Sequence, residues 1–134
     1  MKIVEILQKN ARTPYTQIAR KLGVTEAAVR KRVKKLEEIG VIKGYRAIID
    51  PKKLGYNIIA FIGFDVDPER YASVISTVKN LPEVRRMFST TGDHMIMIEC
   101  WFGNGDALLA FVRSLENIEG VSRVCPAIIV EELK

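Results

Sequence analysis

The side chains best suited to chemistry are cations gathered in one short stretch: Arg30, Lys31, Arg32, Lys34 and Lys35, just downstream of Thr25, Ala27 and Ala28. A helix entering the major groove of DNA needs small residues near its start, so that the backbone can approach, and long cations beside them. At about 100° per residue, Val29, Val33 and Leu36 fall within roughly 60° of one another and face a core, while Ala27, Arg30, Lys31 and Lys34 turn outward. Arg30 carries the paired donors that match guanine; Lys31 and Lys34 suit phosphates as point charges. Most charge runs are only solvated surface, but the balancing Glu37 and Glu38 come a turn too late to neutralise this one. Elsewhere the chain offers little for catalysis. Its single histidine, His94, stands beside Asp93, Thr90 and Thr91, and no glycine-rich phosphate loop, carboxylate pair or metal constellation accompanies it. The expectation is a binding protein, not an enzyme, with no metal and no cofactor.

The elements that must hold the cations follow from spacing. Ile3, Ile6, Leu7 and Ala11 give a first amphipathic helix. Thr13-Pro14 reads as an N-cap with proline at the first helical position. Ile18, Ala19 and Leu22 then face inward until Gly23 ends the second helix. Thr25 caps a third helix running to about Ile39. Thr13, Tyr15 and the amides that open the second helix join Thr25 and Ala28 as candidate DNA contacts, since helix N-termini hold phosphate. Val41–Ile49 alternates imperfectly, which predicts a short hairpin or wing carrying Lys43 and Arg46 to the DNA backbone. The expected boundaries are a helix-turn-helix over 1–50, a turn-rich hinge over 51–56 and a second domain over 57–134.

Charge divides at the same place. Residues 1–56 carry a net +9 and residues 57–134 a net −4, together the +5 of the chain. A basic helical half points to a polyanionic partner, here double-stranded DNA. The longest apolar run, Ile58–Phe64, is far short of the roughly 20 residues that span a bilayer, and no signal-peptide layout opens the chain. Cys100 and Cys125, in no ligand spacing, fit buried thiols in a reducing cytoplasm.

The acidic half reads strand, helix, strand, strand, helix, strand: Ile58–Val66; a helix from Pro68 with Tyr71, Val74, Ile75 and Val78; Val84–Thr91; His94–Phe102; a helix with Leu108, Phe111, Val112, Leu115 and Ile118; Val121–Val130. Leu81-Pro82-Glu83-Val84-Arg85-Arg86 corresponds to Ile118-Glu119-Gly120-Val121-Ser122-Arg123, an internal repeat. Two βαβ halves make an α+β, ferredoxin-like βαββαβ domain. Two helices cover one face of such a sheet, yet Ile59 and Phe61 are apolar as well as Ala60, Ile62 and Phe64. An apolar face is therefore left for a partner, most simply a second copy in a symmetric dimer. RNA-binding domains share this layout, but the third strand lacks their basic-glycine-aromatic signature and the domain is acidic.

The run Tyr15–Lys34, with Leu36-Glu37-x-x-Gly40-Val41-Ile42-x-Gly44-Tyr45, Asp50-Pro51-x-x-Leu54-Gly55 and the Thr91-Gly92-Asp93 turn, resembles the Lrp/AsnC (feast/famine) transcription regulators, archaeal members above all. The resemblance covers essentially the whole chain. It implies homodimers through the sheet domains, often assembled into tetramers or octamers, binding to promoter DNA, and an amino acid as effector. Carried onto this chain, the effector turn comprises Thr90, Thr91, Gly92, Asp93, His94 and Met95. Where many members have Gly-Asp-x-Asp, this chain has Gly92-Asp93-His94-Met95, with a thioether in place of the second carboxylate. Asp93 and His94 are then the polar groups left for an ammonium.

Overall fold

In the computed structural model, which describes residues 1–134, the chain divides into the units Met1–Ile48 and Ile49–Lys134. The first holds α1 (Lys2–Lys9), α2 (Tyr15–Leu22) and α3 (Glu26–Glu38). Helices this short are marginal alone, so they persist by burying a shared face. That face is Ile3, Leu7, Ile18, Ala19, Val29 and Val33, with Leu36 and Ile42 packed against it. Gly23 makes the turn into α3 at φ 67° and ψ 36°, a left-handed conformation that a Cβ disfavours. The Thr25 hydroxyl accepts a hydrogen bond from the Ala28 N–H at 3.1 Å and caps α3.

Four details of this unit depart from expectation. Pro14, not Thr13, is the N-cap of α2: its carbonyl accepts the Gln17 and Ile18 N–H groups at 3.0 and 3.1 Å. The Thr13 hydroxyl instead donates to the Asn10 carbonyl at 2.7 Å. Ala11 lies beyond α1 and is exposed. The hairpin expected over Val41–Ile49 does not form within the chain. Only Ile42 of that stretch joins the core, too little burial to hold a two-stranded ribbon, and its N–H closes α3 by bonding the Leu36 carbonyl at 3.0 Å.

The second unit opens with an ordered turn at Asp50–Gly55, the stretch expected as a hinge. Pro51–Leu54 is a 3-10 helix, and the Asp50 carboxylate accepts the Lys52 N–H at 3.1 Å. Then follow β1 (Ile58–Val66), α4 (Tyr71–Lys79), β2 (Val84–Ser89), β3 (Ile96–Phe102), α5 (Gly105–Glu116) and β4 (Val121–Ile128). The sheet order is β2-β3-β1-β4 with every pairing antiparallel, the ferredoxin-like arrangement. Ala60, Ile62 and Phe64 pair with Cys100, Ile98 and Ile96, and these residues are buried with Val74, Val78, Leu108, Phe111 and Leu115 of the helices. Tyr71, at the first position of α4, is exposed and outside this core. A 3-10 turn at Pro68–Arg70 precedes it.

The strands are shorter than their apolar runs. β2 stops at Ser89 and β3 begins at Ile96 because the residues between bond one another: Thr90 N–H to the Met95 carbonyl at 2.9 Å, and Thr90 Oγ1 to the His94 carbonyl at 2.6 Å. The internal repeat is real in three dimensions. Val84 and Val121 each bond back to Leu81 and Ile118 at 3.1 Å, and each opens an edge strand whose register then slips at a bulge near Arg85 and near Arg123. The two cysteines part company. Cys100 is buried, and burial first, then Glu83 and Glu99, pushes its thiol up to about 12. Cys125, opposite Gly63 on edge strand β4, is exposed, which corrects the expectation of two buried thiols.

Candidate DNA-binding and effector sites

On α3 the alternation of core and surface is as the spacing requires. Val29 and Val33 are buried; Ala27, Arg30, Lys31 and Lys34 are exposed and Ala28 half-buried. Lys31 and Lys34 have no carboxylate within ion-pair distance, whereas Arg30 Nη2 meets Glu26 Oε1 at 2.7 Å. The Arg30 guanidinium also lies 5.9 Å from the centre of the Tyr15 ring, within the range of a cation–π contact. Tyr15, Glu26 and Arg30 thus form one group at the start of α3. Sequence reasoning passed over Glu26, although an acid four residues before an arginine on a helix is a legible pair. Thr25 keeps its O–H free to donate while its oxygen caps the helix. Thr13 is committed to Asn10, and Lys43 and Arg46 are exposed on an irregular segment. The neighbouring Tyr45 phenol is pushed up, first by partial burial and then by Glu37 and Tyr15.

The turn at Thr90–Met95 is held from two distant strands. Asp65 of β1 accepts the Met95 N–H at 3.0 Å and the Arg123 guanidinium at 2.7 Å. Arg123 also donates to the Asp93 carbonyl and carboxylate at 3.3 Å each. The Met95 N–H, the largest influence, and then Arg123 hold the Asp65 carboxyl below its usual range. Asp65 in turn raises Arg123. Arg123 has φ 53°, the only left-handed residue other than glycine, and it lies in the β4 bulge, where one extra residue re-aims the side chain.

His94 turns its side chain inward, away from the tip of the turn. Its side chain is 11% exposed and packs on Gly63, where an added Cβ meets its Cδ2 at 2.6 Å. Its Nδ1 is buried without a hydrogen-bond partner, 3.8 Å from Asp65, while Nε2 is 3.8 Å from Asp93. Asp65, Arg123 and Gly63 were missed because nothing local marks them. Thr91 and Gly92 are exposed at the tip of the turn. No group of His, Cys, Asp and Glu is placed to hold a metal ion.

The second sheet face is uncovered. Ile59, Phe61, Met97, Trp101 and Ile129 are only half-buried on it, and a groove of about 760 Å³ is lined by Ile59, Phe61, Arg86, Glu99, Trp101 and Ile129. Within it, Trp101 Nε1 donates to Glu99 at 3.0 Å, and Arg86 stands 3.8 Å from the same carboxylate. Arg85, at the bulge of β2, stacks 4.3 Å over Trp101 and 5.1 Å over Tyr56. No helix is long and apolar enough to cross a membrane.

The same division appears in comparisons with known proteins. The family model for winged helix-turn-helix DNA-binding matches residues 1–43, and that for the Lrp/AsnC ligand binding domain matches residues 59–134. The HTH-type transcriptional regulator LrpA of Pyrococcus horikoshii is 50% identical over 133 residues, covering 98% of this chain and 94% of that one. AsnC of E. coli superposes with a TM-score of 0.87 at 30% identity, over 98% of this chain and 90% of its own. The feast or famine regulatory protein of M. tuberculosis, solved with L-methionine, gives a TM-score of 0.90 at 25% identity, over 98% and 90% of the two chains. With one matched region carrying the outward cations of α3 and the other the turn clasped by Asp65 and Arg123, this chain belongs to the Lrp/AsnC family of DNA-binding transcription regulators.

Proposed function

We propose that this regulator reads duplex DNA through α3 as a homodimer joined by its uncovered sheet faces, and that a small zwitterion at the Thr90–Met95 turn modulates it. The outward face of α3 carries the reading: Lys31 and Lys34 are free of intramolecular partners, and Arg30 sits one turn into the helix beside the small Ala27. Arg30 contacts a base edge, while Lys31, Lys34, the Thr25 hydroxyl, Lys43 and Arg46 contact phosphates. Paired units then read two half-sites about one helical turn apart. The half-buried Ile59, Phe61, Met97, Trp101 and Ile129 favour a second copy as the cover of the sheet, because a self-complementary apolar face is what a two-fold dimer needs. Dimers assemble further into tetramers or octamers.

For the effector, Arg123 offers a guanidinium to a carboxylate, and Asp93 and Asp65 offer carboxylates to an ammonium. An amino acid bound there exchanges with the Arg123–Asp93 contact, so Met95 need supply no charge. L-methionine, bound by the M. tuberculosis relative, is the first probe.

The test is binding to duplexes selected from a random pool, at several salt concentrations. Affinity falls steeply with salt; Lys34→Ala lowers the logarithmic salt slope by about 1 and weakens all sequences alike, whereas Arg30→Ala costs most at selected sites. Equal loss for Arg30→Ala at selected and random duplexes overturns its role as base reader. Light scattering of Phe61→Asp, expected to lose the dimer, tests the assembly, and a flat melting temperature across an amino-acid panel removes the effector.

A further inference from the structure

Glu26 is an unexpected presence on a helix that approaches phosphates, because its charge opposes theirs. Its position resolves the conflict. It stands one turn before Arg30 and accepts Nη2 at 2.7 Å, which draws the guanidinium back toward the N-terminal end of α3. In helix-turn-helix proteins that end meets the base edges. The same guanidinium lies 5.9 Å from the ring centre of Tyr15 on α2, so groups from two elements stand beside Arg30. A free arginine side chain loses considerable rotamer freedom when it fixes on a base, and holding it in advance removes part of that loss. The contact takes one of the two N–H groups on Nη2, and the other N–H groups of the guanidinium remain to donate.

We infer that Glu26 is the specificity-determining partner of Arg30: it positions the guanidinium for base reading while its charge penalises binding to phosphates alone. The inference rests on α3 being the reading helix. Glu26 lowers affinity for random duplex and raises the ratio of preferred to random binding. Both effects come from one carboxylate, through two distinct physical routes.

The experiment measures affinity of the full-length protein for duplexes selected from a randomised pool and for sheared random-sequence duplex, across a salt series. Glu26→Ala should raise affinity for random duplex and reduce the preferred-to-random ratio by roughly fivefold or more. Glu26→Gln keeps an acceptor oxygen without the charge: it should also gain random-duplex affinity yet retain most of the ratio. Circular dichroism confirms that α3 is intact in both variants. Equal gains on both duplexes with an unchanged ratio for Glu26→Ala overturn the inference, leaving Glu26 a mere repulsive charge. Equal loss of ratio in both variants overturns positioning by the acceptor oxygen. Arg30→Ala is measured alongside. If it collapses the ratio while Glu26→Ala does not, only the role of Glu26 fails; if neither moves the ratio, α3 as base reader fails.

Discussion

The helical unit and the α/β unit differ in how far along the chain their decisive partners lie. In the first, Thr25 caps Ala28, Glu26 meets Arg30 four residues on, and Gly23 turns the chain directly into α3. In the second, Asp65 bonds Met95 across 30 residues and Arg123 across 58. Local partners make a site that can be read, and changed, one residue at a time. Distant partners make a site in which the sheet itself does the positioning, so a fault anywhere in its packing reaches the turn.

That contrast sets an order of expected effects. Phe64→Ala removes a fully buried ring from the centre of the sheet core and should cost about 3–5 kcal/mol. A urea midpoint that scarcely moves would mean the second unit does not depend on this core. Gly63→Val places a side chain where His94 and the Met97 sulfur, 2.9 Å from even a bare Cβ, already sit. Overpacking of this kind costs about 1–3 kcal/mol, and the 90–95 turn should shift with it. Unchanged amide and imidazole NMR signals from His94 and Met95 would break the link between sheet and turn. In the helical unit, Thr25→Ala removes one cap and should cost about 1 kcal/mol, with no change in the resonances of the other unit. The smallest effect is expected in acid. Asp65 titrates lower when folded than its ordinary 3.8, so its contribution is present above that value and is lost as pH falls through the folded value. Denaturation midpoints followed from about pH 5 to about pH 2 should therefore fall less for Asp65→Asn than for the parent chain; parallel curves would show that Asp65 is not held by Met95 and Arg123 in solution.

How much could be read in advance follows the same line. Helix periodicity located α3 to within a residue at each end, and a short continuous apolar run located β1 at Ile58–Val66. The sheet order followed from two βαβ repeats. The Thr13-Pro14 cap was misplaced because cap geometry depends on which carbonyl the first amides find, and Pro14 offered its own. The 41–49 hairpin failed for want of burial. The ends of β2 and β3 retreated because Thr90 found Met95 and His94 before the ladder did. No pattern in the letters announces an arginine at φ 53°.

By itself, then, the order of residues determined the elements, the divided charge and the cationic face of α3, because each depends on periodicity or on neighbours within a turn. Tertiary structure alone decided that Asp65, Asp93, His94 and Arg123 share one site and that Gly63 makes room for an imidazole. Those meetings are set by strand register and by a bulge, which the packing of two helices on a four-stranded sheet selects and no local preference encodes.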